Sequence, residues 1–335
     1  MAASKATKSA SKPAPKPALR AESLTLEPLS RRRRIVNHGM RVAVYTAFAL
    51  ALVPLVWLVT TVVARGVSRF FLDSNGESNL NFDFLTTSMR GVYGGMPEGG
   101  IMHAAVGTLV ITLVAALISV PIGLLTAIWL VEYGRGWLKR VITFFVDVMT
   151  GIPSIVAGLF AYALFAVLMG PGTKTAVVGA VALSVLMIPI VVRSCEEMLR
   201  VVPNELREAS YALGIPKWLT VLKVVVRTAF AGITTGVMLA VARVIGETAP
   251  LLIAVGVADS LNWNPLDGRM MTLPVYIVSE YRKGPQPCNN PDMVCVPDIT
   301  VQRAWAAALV LILIVMVLNL VARIIAKYLS PRMGR

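Results

Sequence analysis

The chain has 335 residues, 56% of them hydrophobic, and a mean hydropathy of +0.71, which is too apolar for an ordinary soluble domain. A net charge of +14 and a pI near 10.1 would suggest nucleic acid in a soluble protein. In a membrane protein the placement of the cations carries the information instead, so no nucleic-acid partner is expected.

Residues 1–30 are mostly Ala, Lys, Ser and Pro, with almost no aromatic or branched side chains to build a core. The stretch 1–40 therefore reads as a disordered basic arm, with Arg31–Arg34 as a topology determinant attracted to anionic lipid. Six segments are long enough for a hydrocarbon core that needs about 20 apolar residues: Val42–Ala64, Ala104–Val131, Val141–Met169, Thr175–Val192, Ile233–Val257 and Ala304–Ala322. The segments sharing a side with the amino terminus hold 23 Lys and Arg, and those on the opposite side hold 8. The positive-inside rule then places both termini in the cytoplasm of a multi-pass protein.

Region 41–100 reads as the first span and an external loop, in which NFDFLTTS fits either a short strand or an interfacial helix. His103 reads as interfacial. In the third span Asp147 is an ionisable group, costly at roughly 2.5–3.5 kcal/mol if central. It lies near the cytoplasmic end, where it fits either a structural ion pair or a gate. The following GIPS reads as a helix break. Arg193 ends the fourth span, either snorkelling to headgroups or facing a transport path. Cys195 reads as a free cytoplasmic thiol. Arg243 and Glu247, four apart in the fifth span, are expected on one helical face, as a self-neutralising pair or as lining of a cavity. Cys288 and Cys295 share the external loop 259–303, where oxidation permits a disulfide. Region 304–335 is the last span and a basic cytoplasmic tail.

The polar stretch 193–232 lies between the fourth and fifth spans. Gly214 suits a helix end needing positive φ and Pro216 suits the first turn of the next helix, so a cytoplasmic helical hairpin is expected there. Its sequence EASYALG resembles the head of the EAA loop of ATP-binding-cassette importer permeases, with Glu208, Ala209 and Gly214 in register and Ser210 in place of an alanine. The family's loop usually closes on Ile-x-Leu-Pro, where this chain has Val224, Val226 and Arg227. ARVIGETAPLL and GIPSIVAGLFAY narrow the resemblance to phosphate-specific permeases of the PstA type, over about Gly100 to Leu252.

This resemblance implies an all-α membrane protein of the type I importer permease class, with six transmembrane helices, a core at 101–258 and a coupling hairpin. It implies a prokaryotic inner-membrane location and import of inorganic phosphate by alternating access. The implied partners are a second homologous permease, two ATPase subunits that bind the ATP, an extracytoplasmic phosphate-binding protein and membrane lipid. Glu208, Ala209 and Gly214 would couple to the ATPase, and Arg243, Glu247 and Arg193 would line the substrate path. The chain has no GxxxxGK[ST] loop, no HExxH or clustered Cys/His set and no GxSxG elbow. It is therefore expected to be non-catalytic, with no cofactor or metal of its own. The alternatives are a permease for another oxyanion such as sulfate or molybdate, a membrane scaffold or sensor, and an intramembrane enzyme using Asp147 and Glu247.

Overall fold

The computed structural model describes residues 30–72, 80, 82–288 and 294–329. The expectation of disorder for residues 1–29 lies outside the described residues, as do the centre of the disulfide loop and the last six residues. Among the described residues the secondary structure is helical, with no strand.

Helix α1 (Arg31–Ser68) starts at Arg31, so the last ten residues of the expected arm are helical. Arginine is a good helix former, and the run leads without a breaker into the first apolar segment. The part of α1 up to Val56 is a unit by itself, exposed along its length. From Trp57 onward a second unit begins. There the end of α1 meets the last helix, with Arg65 stacked on the Trp305 ring at 5.3 Å. Within NFDFLTTS, Asp83–Thr86 form a helical turn, α2, with Phe84 buried. Helix α3 (Met102–Ile128) continues through a π-helical turn at Trp129–Tyr133. His103 at its start is buried, with the Tyr276 ring edge-on at 5.7 Å. It is therefore a core residue and not an interfacial one.

The third segment breaks at GIPS as expected, into two helices, α4 (Gly136–Thr150) and α5 (Ser154–Met169), bent by 106°. Pro153 causes the break, because its ring disfavours helical backbone at the preceding residue. Helix α6 (Ala176–Val201) is the central element, packed on α3, α4 and α5. Next come α7 (Asn204–Ala212) and α8 (Lys217–Thr220). A second π-helical turn, Val221–Val225, runs directly into α9 (Val226–Val244). The missing terminal proline of the loop thus shows as a helix that does not stop: Lys217–Val244 is one continuous apolar rod.

The fifth segment does stop, and the expectation of one helix over Ile233–Val257 is corrected. Helix α9 ends at Val244 and α10 (Ala249–Ala254) follows, with Pro250 in its first turn. The sequence reading also missed α11 (Leu273–Lys283), which buries Leu273, Val275 and Tyr276 against α3 and α12 (Ile299–Leu329). Among the described residues five helical rods are long and apolar enough to cross a bilayer, and the bent pair α4/α5 brings the number to six.

Helices α5 and α10 carry GIPSIVAGLFAY and GETAPLL, and they pack together at Gly158. A β-carbon there would come within 2.5 Å of Pro250 Cα and 2.8 Å of its carbonyl oxygen, so only glycine permits this approach. Gly158→Val is expected to destabilise the protein by roughly 1–3 kcal/mol through overpacking. The check is the Tm of the detergent-solubilised chain, and an unchanged Tm would mean the two helices do not meet there.

Candidate functional site

The hairpin is built by local rules. Gly214 has φ +75°, its N–H donates to Tyr211 O at 2.9 Å, and the Ile215 N–H reaches Ser210 O at 3.2 Å. These two bonds close α7 in a Schellman turn. Ser210, which replaces the expected alanine, is buried and shares a 2.8 Å hydrogen bond with the Thr220 hydroxyl, tying α7 to α8. Glu208, Ala209 and Gly214 are all exposed, so each of the three residues expected to couple is accessible.

Helix α6 carries a polar network near the same end. Arg193 pairs with Asp147 of α4 and, at 2.8 Å, with Glu196, which also pairs with Arg200 at 2.5 Å. Asp147 is therefore held by Arg193 across two helices. Arg193 itself remains about a third exposed.

Arg243 and Glu247 do not share a helical face. Arg243 is exposed in the last turn of α9, and Glu247 lies in the following turn, its N–H bonded to Val244 O at 3.1 Å. Gly246 and Pro250 end the helix where a four-residue spacing would have continued it. Neither side chain has a hydrogen bond or ion pair among the described residues. A self-neutralising pair is thus not the arrangement present. Helices α6 and α9 touch at Ser194 with Gly236 and at Met198 with Gly232. By that register Arg243 lies ~9 Å further from the hairpin than Arg193, at 1.5 Å per residue.

Sequence reasoning missed the ionic groups at both ends. At the hairpin end, Glu132 in the first π-turn binds Arg207 of α7. At the other end, Glu280 of α11 faces Lys283 and Arg303. Arg303 and Arg69 are buried and donate to alternate carbonyls of one short segment: Arg303 to Met96 and Glu98, Arg69 to Pro97 and Gly99. Glutamates and arginines flanking apolar runs were visible in the chain, but Arg207 lies 75 residues from Glu132, Arg303 lies 23 from Glu280, and the carbonyls that Arg303 binds lie more than 200 residues before it. A cavity of about 540 Å³ beside Arg69, Arg90, Asp83 and Glu98 is formed by residues other than Arg193, Arg243 and Glu247. Among the described residues no group of His, Cys, Asp and Glu could hold a metal.

Cys288 and Cys295 form a disulfide with Cα atoms 5.7 Å apart. Cys195 is a free thiol but is fully buried in α6, out of reach of a labelling reagent in the native protein. Native protein should resist thiol labelling, denatured unreduced protein should label once, and reduced denatured protein three times. Labelling of the denatured, unreduced chain at three sites would remove the bridge.

These features define an α-helical multi-pass membrane protein with a broken-helix core and an exposed polar hairpin between two spans. Solved structures share the fold. The methionine ABC transporter in an inward-facing form matches with TM-score 0.54 at 18% identity, over 69% of this chain and 96% of that one. A bacterial ABC transporter importing the acidic polysaccharide alginate matches with TM-score 0.55 at 11% identity, over 89% of this chain and 100% of that one. The profile of the binding-protein-dependent transport system inner membrane component matches residues 119–335. The phosphate transport system permease protein PstA of Mycobacterium leprae is 47% identical over 302 residues, 89% of this chain and 91% of that protein. The Pasteurella multocida protein of the same name is 34% identical over 293 residues, 87% and 95% respectively. The chain belongs to the PstA family of phosphate transport system permease proteins, within the binding-protein-dependent transport inner membrane components.

Proposed function

We propose that this chain is a permease subunit of an ATP-driven importer and moves inorganic phosphate into the cytoplasm by alternating access. The observation that carries the reading is its 47% identity, over nine-tenths of its length, to a protein named as a phosphate transport permease. The exposed hairpin supports it physically, because coupling to an external motor needs an element that is accessible and joined to the spans. The excess of Lys and Arg on the hairpin side supports a cytoplasmic position for the hairpin and both termini.

In this reading Glu208, Ala209 and Gly214 dock on ATPase subunits that bind and hydrolyse ATP, and this chain performs no hydrolysis and holds no cofactor. A second homologous permease completes the pathway, and an extracytoplasmic binding protein delivers phosphate to the opposite side. Arg243 and Glu247 meet the substrate, with Arg193 nearer the hairpin and Asp147 gating through its pair with Arg193. The test is uptake of labelled phosphate by the complex reconstituted in lipid vesicles, with sulfate and molybdate as competitors. ATP-dependent uptake that phosphate alone competes is expected. Uptake competed equally by sulfate would shift the reading to another oxyanion, and the absence of uptake would leave a scaffold or sensor.

A further inference from the structure

The hairpin follows α6 and precedes α9 in sequence, so the chain itself joins it to those two helices. The structure adds a third attachment, to the end of α3, made by polar contacts. The Glu132 Oε1 accepts from Arg207 Nε at 3.1 Å and lies 3.0 Å from Arg207 Nη2. The Glu132 carbonyl accepts from Lys217 Nζ, and that ammonium stands 4.8 Å from the centre of the Tyr133 ring. One residue of α3's terminal π-turn thus holds both helices of the hairpin, Arg207 from α7 and Lys217 from α8. Arg207 is further fixed by donating to Leu199 O at 3.0 Å and Val202 O at 2.6 Å, so the cation cannot follow a displaced carboxylate without giving up these bonds.

The pair is nearly dry: the Glu132 side chain is 6% exposed and that of Arg207 13%. Burying an ion pair brings little net stability, because desolvation offsets the attraction, and its better-attested use is to fix one arrangement against others. A π-turn ends α3 at Trp129–Tyr133, and a second, Val221–Val225, follows α8 inside a continuous helix, where such turns frequently mark functional sites. Helix α3 is the element packed most extensively on α6, the helix that carries Arg193.

We infer that Glu132 is a positioning residue that transmits hairpin movement to α3, so that the α3–α6 pair moves with the hairpin rather than α6 alone. The inference rests on the proposed importer function and deepens it, since Glu132 is neither among the proposed substrate-path residues nor among the proposed ATPase-docking residues. Its test is the number of ATP molecules hydrolysed per phosphate imported by the complete reconstituted complex. Glu132→Gln keeps the shape and an acceptor oxygen but loses the charge. It should raise that ratio about fivefold or more, the lower end of the range for a coupling free energy. Glu132→Asp keeps the charge on a shorter reach and should give a smaller rise in the same direction. It also carries the measurement if the Gln variant does not assemble. Lys217→Gln, which removes the second contact, should raise the ratio too.

A Glu132 variant that loses uptake and hydrolysis in proportion, with the ratio unchanged, is merely less well folded, and the inference is overturned. A wild-type ratio at wild-type uptake overturns it as well. If the wild-type complex imports no phosphate, the importer reading fails and this inference fails with it. Wild-type import beside an unchanged variant ratio removes the inference alone.

Discussion

Arg243→Gln is expected to abolish uptake of phosphate in a complex that still assembles, whereas Glu247→Gln should either abolish it or relax exclusion of sulfate. Arg243 is exposed, unpaired among the described residues and located at the end of α9. Its guanidinium can donate charge-assisted hydrogen bonds to any tetrahedral oxyanion. Each such bond contributes about 1.5–3 kcal/mol, so losing one weakens binding roughly 10- to 150-fold. Glu247 needs a different account, because an ionised carboxylate repels every oxyanion. At neutral pH phosphate retains at least one proton and sulfate has none, so a carboxylate acceptor favours the protonated ion and penalises the other. The break between Val244 and Ala249 supports this role, since irregular backbone in a span is tolerated where it is buried in protein or lines a cavity. The measurement is phosphate uptake with and without sulfate, alongside isolation of the intact complex. If Glu247→Gln leaves uptake and sulfate exclusion unchanged, Glu247 is structural and the site assignment fails.

Gly214→Leu is expected to stop import while leaving the spans folded. The backbone at Gly214 is left-handed, and a β-carbon there would meet nothing within 4 Å. The substitution therefore creates no clash inside this chain. It adds about 1–2 kcal/mol of backbone strain and places a bulky group on the exposed turn of the hairpin. Gly214→Asn separates the two effects, because asparagine tolerates left-handed backbone far better than leucine while still adding bulk. Import lost with Leu and retained with Asn would assign the defect to hairpin shape. Loss with both would assign it to a tight fit against the ATPase, read directly as reduced co-purification of the ATPase subunits. Gly214→Leu transporting at the wild-type rate would remove the docking assignment.

How much of this was legible in the chain depends on the range of the physics. The spans follow from a sum over about 20 neighbouring residues, and the side preference follows from counting cations. The hairpin follows from a glycine and a proline acting on their own dihedral angles. All of these are local, so the sequence by itself determined an all-helical membrane protein with a polar turn at Gly214 and Pro216. Ser210 shows where local reading stops. It looks like a departure from the family pattern until its partner Thr220 is seen across the turn.

Only the tertiary structure decided how far the helices turn at their breaks and which distant residues meet. Pro153 and Pro250 announce an irregularity, but the 106° bend at the first and the full stop between α9 and α10 at the second depend on what packs alongside. Four-residue spacing placed Arg243 and Glu247 together only on the assumption of an unbroken helix, and Gly246 and Pro250 defeat that assumption. Gly158 against Pro250 and Glu132 against Arg207 join residues 92 and 75 positions apart. No periodicity encodes such pairings, because they follow from how amphipathic and small-residue faces stack once the helices are formed.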